Sequence, residues 1–209
     1  ILVDLDPAVE QTAAELARDG VSAQAVVADV TDAGGRRAVR AAVGSDGLAA
    51  LVNNAGITRD ARIANMDDEQ FLAVIRVNLG GAYEITRTLL GAFVDGGAIV
   101  NLSSRAYLGN IGQFNYAASK GGLVGMTRGL AQELAPRVRV NAVAPGLTDS
   151  EMTRAMPERV LDKLVAAVPM GRMADPAEIA EVVAMLLSPT ASYVTGQVLV
   201  ACGGRSIAQ

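Results

Sequence analysis

Ala98-Ile-Val-Asn-Leu102 and Arg137-Val-Arg-Val-Asn-Ala-Val143 are apolar runs separated by residues 115–134, a stretch that opens Asn115-Tyr-Ala-Ala-Ser-Lys120. Short runs rich in Val and Ile read as strands, and the longer stretch between them reads as a helix. The same alternation continues in both directions. It predicts strands at 1–3, 23–28, 48–52 and 198–201, and helices at 7–18, 32–43 and 67–93. Two short helices are expected between residues 150 and 168, and one after Pro176. Strands that are continuous apolar runs, joined by helices, belong to a parallel sheet covered on both faces. The expected fold is α/β, a doubly wound parallel sheet in one domain over residues 1–209. In such sheets ligands bind beyond the carboxyl ends of the strands. Asp4, Asp29, Asn53, Ser103 and Pro145-Gly146 each follow a predicted strand.

Tyr116 and Lys120 stand four residues apart on the predicted helix and therefore share a face. An ammonium beside a phenol favours the phenolate and lowers its pKa from about 10. This chain has no histidine, so such a pair is a route to general acid/base chemistry near neutral pH. Of its 18 basic residues only Lys120 and Lys163 are lysine. A compact point charge therefore stands beside this tyrosine in a chain that otherwise uses arginine.

Composition narrows the alternatives. The chain has 209 residues, 51% of them hydrophobic, and a net charge of −4 with no basic run, which disfavours nucleic acid and anionic membrane as partners. No apolar stretch is long enough to span a bilayer. The lone Cys202 excludes an internal disulfide framework and points to a reducing, cytoplasmic compartment. Without histidine, Ser-His-Asp hydrolases, Cys-His proteases and His-based metal sites are excluded, and no metal site is expected.

Asp29-Val30, Asn53-Asn-Ala-Gly56, Asn78, Ser103, Tyr116-x-x-x-Lys120 and Pro145-Gly146 follow one another in an order that resembles the single-domain short-chain dehydrogenase/reductase family. The resemblance implies a Rossmann-type sheet, a nicotinamide cofactor and hydride transfer between a ketone and a secondary alcohol. It implies Tyr116 as general acid or base, Lys120 on the nicotinamide ribose, and Ser103, thirteen residues before Tyr116, on the substrate oxygen. Asn78 would hold a water linking Lys120 to solvent. Ser104 is then a structural hydroxyl, although adjacent serines can exchange roles. Thr148 and Ser150 occupy positions that contact the cofactor, with Pro145 and Gly146 beside them. A homotetramer built across the 67–93 and 115–134 helices is also implied, and Gly121, Gly122 and Gly125 thin one side of the second.

A carboxylate at the end of the second strand of such a fold accepts from the adenosine ribose and repels a 2′-phosphate. Asp4 therefore favours NAD(H) over NADP(H), with Leu5 beside it; Asp29 and Val30 flank the adenine, and Asn53, Ala55 and Gly56 line the cleft. The glycine-rich turn that precedes such an acid by about 20 residues is not in the chain. A strand-turn-helix of about 30 residues is expected before Asp4, and the strands flanking its place are expected to lack a hydrogen-bond partner. Arg105 and Gln113 are expected at the substrate, and Met152, Met156 and Met170 suggest an apolar pocket. Gly109-Asn-Ile-Gly-Gln-Phe-Asn-Tyr116 is similar to 3-oxoacyl-thioester reductases. A polyol, sugar or steroid is the alternative substrate, and a non-catalytic scaffold or binding subunit the alternative of another class.

Overall fold

The computed structural model describes residues 1–207, the side chains of Glu151 and Met152 apart. The strands are β1 (Leu2–Asp4), β2 (Ala25–Val27), β3 (Leu48–Asn53), β4 (Phe93–Leu102), β5 (Val138–Pro145) and β6 (Val198–Ala201), and every pairing is parallel. The helices are α1 (Ala8–Arg18), α2 (Ala33–Ala42), α3 (Asp68–Ile75), α4 (Ala82–Leu89), α5 (Phe114–Leu134), α6 (Glu151–Arg154), α7 (Glu158–Ala166) and α8 (Pro176–Leu187). This is the α/β architecture that the alternation predicts.

The period of two along each strand distributes side chains to two cores. Ile99 and Val140 turn to one face, where they pack with Ile85, Leu89, Ala131 and Phe93. Val100 and Val143 turn to the other and meet Leu186, Ile179 and Val183 of α8. Helix starts are fixed by side-chain caps. Asp67 accepts from the Gln70 amide while Gln70 accepts from the Asp67 amide, and Asp175 and Glu178 repeat the arrangement at α8. At α1, Asp6 accepts from the Ala8 amide at 2.9 Å, and Asp4, at the end of β1, accepts from the Asp6 amide at 2.9 Å through Oδ1.

The order β3-β4-β5-β6 forms one sheet and β1-β2 a second. Among the described residues β1 and β3 are not paired. Ala49, Ala50 and Val52 of β3 are consequently exposed, whereas Val100, Val140 and Ala142 are sealed. Val3 and Val26 still pack against the same core as Leu51 and Ile99.

One predicted helix is several elements. The 67–93 stretch divides into α3, a π-helical turn over Arg76–Gly81, α4 and a 3₁₀ turn over Leu90–Ala92, and Phe93 already belongs to β4. Widening the helix at Arg76–Gly81 lets the Asn78 amide leave the helix and bond the main chain of Ile57. Among the described residues no helix is long and apolar enough to cross a membrane.

Candidate active site

α5 presents Tyr116 and Lys120 on successive turns beneath the carboxyl ends of β4 and β5. The Lys120 ammonium lies 5.6 Å from the centre of the Tyr116 ring and donates to the Leu102 carbonyl at 2.7 Å. Lys120 is only 4% exposed, and burial brings its ammonium down to about 8. Burial also pushes the Tyr116 phenol up; a hydrogen bond with the Ser104 side chain opposes that shift and the Asp60 carboxylate adds to it. The expected lowering of the phenol by Lys120 is therefore not present. The ammonium lies over the ring and is engaged by Leu102, so desolvation dominates.

The two serines face opposite ways. Ser104 is extended (φ −163°, ψ 151°), and successive side chains of extended backbone point to opposite sides. The buried Ser103 hydroxyl donates to the Lys120 main-chain carbonyl at 2.9 Å, holding β4 to α5. The Ser104 side chain stands close enough to the Tyr116 phenol to lower its pKa, and its hydroxyl accepts from the Ala106 amide at 3.1 Å. Spacing along the chain favours Ser103 for the substrate oxygen; in space both serines reach the cavity wall, and it is Ser104 whose side chain acts on the Tyr116 phenol.

Asn78 is 1% exposed. Its Oδ1 accepts from the Ile57 amide at 2.8 Å, and its Nδ2 donates to the Ile57 carbonyl and to Ser119 Oγ. It thus anchors the loop after β3 to α5, beside Lys120: a Cβ built on Gly56 would lie 3.3 Å from Asn78 Oδ1 and 3.4 Å from Lys120 Nζ. Asn53 is turned away from the cleft. Its Nδ2 donates to Thr86 Oγ1 and Asn101 Oδ1, and Asn101 continues the chain to Thr127. This buried network ties β3, β4, α4 and α5 together beneath the site.

A cavity of about 280 Å³ opens there, with Tyr116, Lys120, Ser103, Ser104, Gly56, Pro145, Gly146, Thr148 and Ser150 in its wall. Asn54, Leu102 and Thr153 complete it and were not read from the sequence. The Ser150-x-x-Thr153 spacing was the available signal for Thr153, which donates to the Thr148 carbonyl and accepts from the Ser150 amide. A larger cleft of about 430 Å³ by Arg128 and Gln197 lies at the amino end of β6, away from the Tyr-Lys pair.

Several expected residues do not line the cavity. Asp4, Leu5, Asp29, Val30 and Ala55 lie outside its wall, with Asp29 bonded to Thr31 through both the amide and the hydroxyl. Gln113 donates to Asp60 at 2.9 Å and accepts from Asn110, a clasp that holds the loop over Tyr116 and occupies the amide meant for substrate. Arg105 is likewise outside the wall. Met156 and Met170 do not line the cavity, Met170 being 63% exposed, and the Met152 side chain lies outside the described residues.

A nicotinamide cofactor fits this donor set. Thr148 Oγ1 is buried in the cavity wall with no hydrogen-bond partner, a donor and acceptor that would suit the carboxamide of such a cofactor. Gly56 keeps the wall open beside Lys120, and Lys120 offers the cation for ribose hydroxyls. A side chain at Gly146 would meet Cys202 Cα at 2.7 Å, so this turn is held close to the end of β6.

Residues 1–206 match the family described as enoyl-(acyl carrier protein) reductase. The chain is 48% identical over 161 residues to the 3-oxoacyl-(acyl-carrier-protein) reductase FabG of Thermotoga maritima, a match covering 75% of this chain and 65% of the relative. It is 48% identical over 206 residues to an uncharacterized oxidoreductase of Mycobacterium tuberculosis, covering 96% of this chain and 83% of the relative. The chain thus spans about two thirds of the length of the reductase and more of the oxidoreductase. A crystal structure from Brucella melitensis described as short-chain dehydrogenase/reductase, glucose/ribitol dehydrogenase, superposes with a TM-score of 0.86 at 34% identity, covering 98% of this chain and 84% of that one. With the parallel sheet, the Tyr116–Lys120 pair and these matches in agreement, the chain belongs to the short-chain dehydrogenase/reductase family.

Proposed function

We propose that residues 1–209 act as one domain of an NAD(H)-dependent oxidoreductase that interconverts a ketone and a secondary alcohol, with a 3-oxoacyl thioester as substrate. The observation that carries this reading is the Tyr116 phenol with Ser104 beside it and Lys120 against its ring in the wall of one cavity. The cofactor, when bound, supplies or accepts the hydride. Tyr116, its proton held tightly by burial, donates to the carbonyl oxygen in reduction and recovers that proton in oxidation. The Ser104 hydroxyl steadies the same oxygen as charge develops on it. Lys120, brought down to about 8 by burial, can return a proton to the phenolate that reduction leaves. Asn78 supports this relay by fixing Ile57 and Ser119 beside Lys120.

Preference for NAD(H) rests on Asp4, exposed at the end of β1. Two relatives of this chain are named for thioester chemistry: an acetoacetyl-CoA reductase of Rhizobium meliloti and a (3R)-3-hydroxyacyl-CoA dehydrogenase of mouse. Assembly as a cytoplasmic homotetramer across α3, α4 and α5 belongs to the same reading. Gly121 and Gly125 support it, because a Cβ on either would meet nothing within 4 Å, whereas Gly122 is packed on Leu79 within the chain.

The test is NADH oxidation with acetoacetyl-CoA by wild type and Tyr116→Phe, together with NADH fluorescence on binding. The phenylalanine variant should bind NADH and turn over at least 1,000-fold more slowly, on the order of what a lost proton donor costs. Turnover at the wild-type rate would sink the assignment of Tyr116.

A further inference from the structure

We infer that Arg105 and Arg205 form a site for an anionic group, carboxylate or phosphate, carried by the substrate. The inference rests on the oxidoreductase reading and names a chemical feature of what that site accepts. Arg105 follows Ser104 directly, in the 3₁₀ turn (Arg105–Leu108) beyond the end of β4. Arg205 stands in the turn beyond β6, where its amide donates to the Cys202 carbonyl at 3.1 Å. Between them lies the Pro145-Gly146 turn of β5, packed directly on Cys202. Both turns therefore stand on the carboxyl edge of the sheet, the edge at which the Tyr116 cavity opens, although neither arginine is part of that cavity's wall.

Like charges brought together are unfavourable without an anion between them. Burial, then the charge of Arg105, holds Arg205 below the ordinary guanidinium value. Arg105 Nε is buried and has no hydrogen-bond partner. Among the described residues neither side chain makes an ion pair or a hydrogen bond, although the chain carries 22 acidic residues. Other arginines of this protein find carboxylates readily: Arg36 and Arg87 share Glu84, and Arg172 takes Glu178 at 2.6 Å. The nearby group of opposite polarity is the Cys202 thiol, itself buried and bonded to Ser206. Two forked donors on one edge of the sheet, one with a buried and unpartnered Nε, suit a carboxylate or a phosphate, which guanidinium groups bind in bidentate fashion.

Two measurements test this in the full 209-residue chain. In the first, inorganic phosphate should raise the melting temperature of wild type and of Tyr116→Phe, and should do so much less for Arg205→Gln and for the Arg105→Gln/Arg205→Gln pair. In the second, kcat/KM is compared for ethyl acetoacetate, acetoacetate and acetoacetyl-CoA. Arg205→Gln should lower the ratio of an anionic to the uncharged substrate about tenfold, the value of one charge-assisted hydrogen bond, with Arg205→Lys recovering part of it. A drop confined to acetoacetate places the anion next to the keto group; one confined to acetoacetyl-CoA places it on the thioester arm. A phosphate effect that disappears while both ratios hold would show a site for a free anion and overturn the substrate assignment. Equal phosphate effects in wild type and the double variant would overturn the site itself. Absence of turnover in wild type with all three substrates, phosphate stabilisation persisting, would count against the oxidoreductase reading and not against the anion site.

Discussion

At the scale of single residues, the adjacent serines and the buried lysine make predictions that separate chemistry from support. Ser104 touches the phenol and Ser103 holds a buried carbonyl. Ser104→Ala should therefore lower kcat by roughly 100-fold, the usual effect of losing a donor at a developing oxyanion. Ser103→Ala should act chiefly on folding, costing about 1–2 kcal/mol because the Lys120 carbonyl loses its donor. A larger kcat loss in Ser103→Ala than in Ser104→Ala would return the catalytic role to Ser103. The thirteen-residue spacing could not decide between them, since it counts positions and says nothing of direction. Lys120 makes a second prediction through pH. Its folded value of about 8 lies below the ordinary 10.5, so the unfolded chain holds the extra proton between those values. Wild-type stability should then rise with pH across that window relative to Lys120→Met, by roughly 3 kcal/mol in all. Urea unfolding of both proteins at pH 7.5 and pH 10.5, each compared at the same pH, reads that difference directly; a constant gap would mean that Lys120 is not desolvated in the folded state.

At the scale of elements, close approach of backbone decides what the chain tolerates. The turn after β5 lies against the turn after β6 so tightly that a Cβ on Gly146 would meet Cys202 Cα at 2.7 Å and its Cβ at 2.8 Å. Backbone cannot yield as a side-chain tip can, so Gly146→Ala should cost about 1–3 kcal/mol and lower kcat/KM with it, because Thr148 and Pro145 move with the turn. Gly129 in α5 faces open space, and Gly129→Ala should instead stabilise by about 1 kcal/mol through helix propensity. Equal urea midpoints for the two variants would contradict the contact. Elements of this kind were unevenly legible in the sequence. The strands were plain because Ile99, Val100, Val140 and Val143 are apolar on both faces of a covered sheet. The break in the 67–93 helix was not, because apolar periodicity runs on through Val77 and Leu79. The π-turn is produced by what Asn78 meets in three dimensions at Ile57, and a linear pattern carries no trace of that.

At the scale of the whole molecule, the Tyr116–Lys120 pair was legible because one helix supplies both members, while the cavity wall was only partly so because it draws on four chain segments. Asn53 illustrates the difference. Its place after β3 suggested the cleft, but its amide is turned into the Thr86–Asn101–Thr127 network, and its neighbour Asn54 faces the cavity. The same large-scale view explains how stability should be distributed. β4 and β5 are hydrogen-bonded on both sides, whereas among the described residues β1 and β3 each have one unpaired edge and meet through the side-chain packing of Val3, Leu51 and Ile99. An unpaired strand edge leaves main-chain groups to water, and local opening there requires no ladder to be broken. In hydrogen exchange on the 209-residue chain, the outward amides of β1 and β3 should therefore exchange at least 100-fold faster than those of Ile99, Val100, Val140 and Ala142. Slow exchange along β3, equal to that along β5, would mean that its open edge is covered in solution, and the two-sheet arrangement would then have to be abandoned.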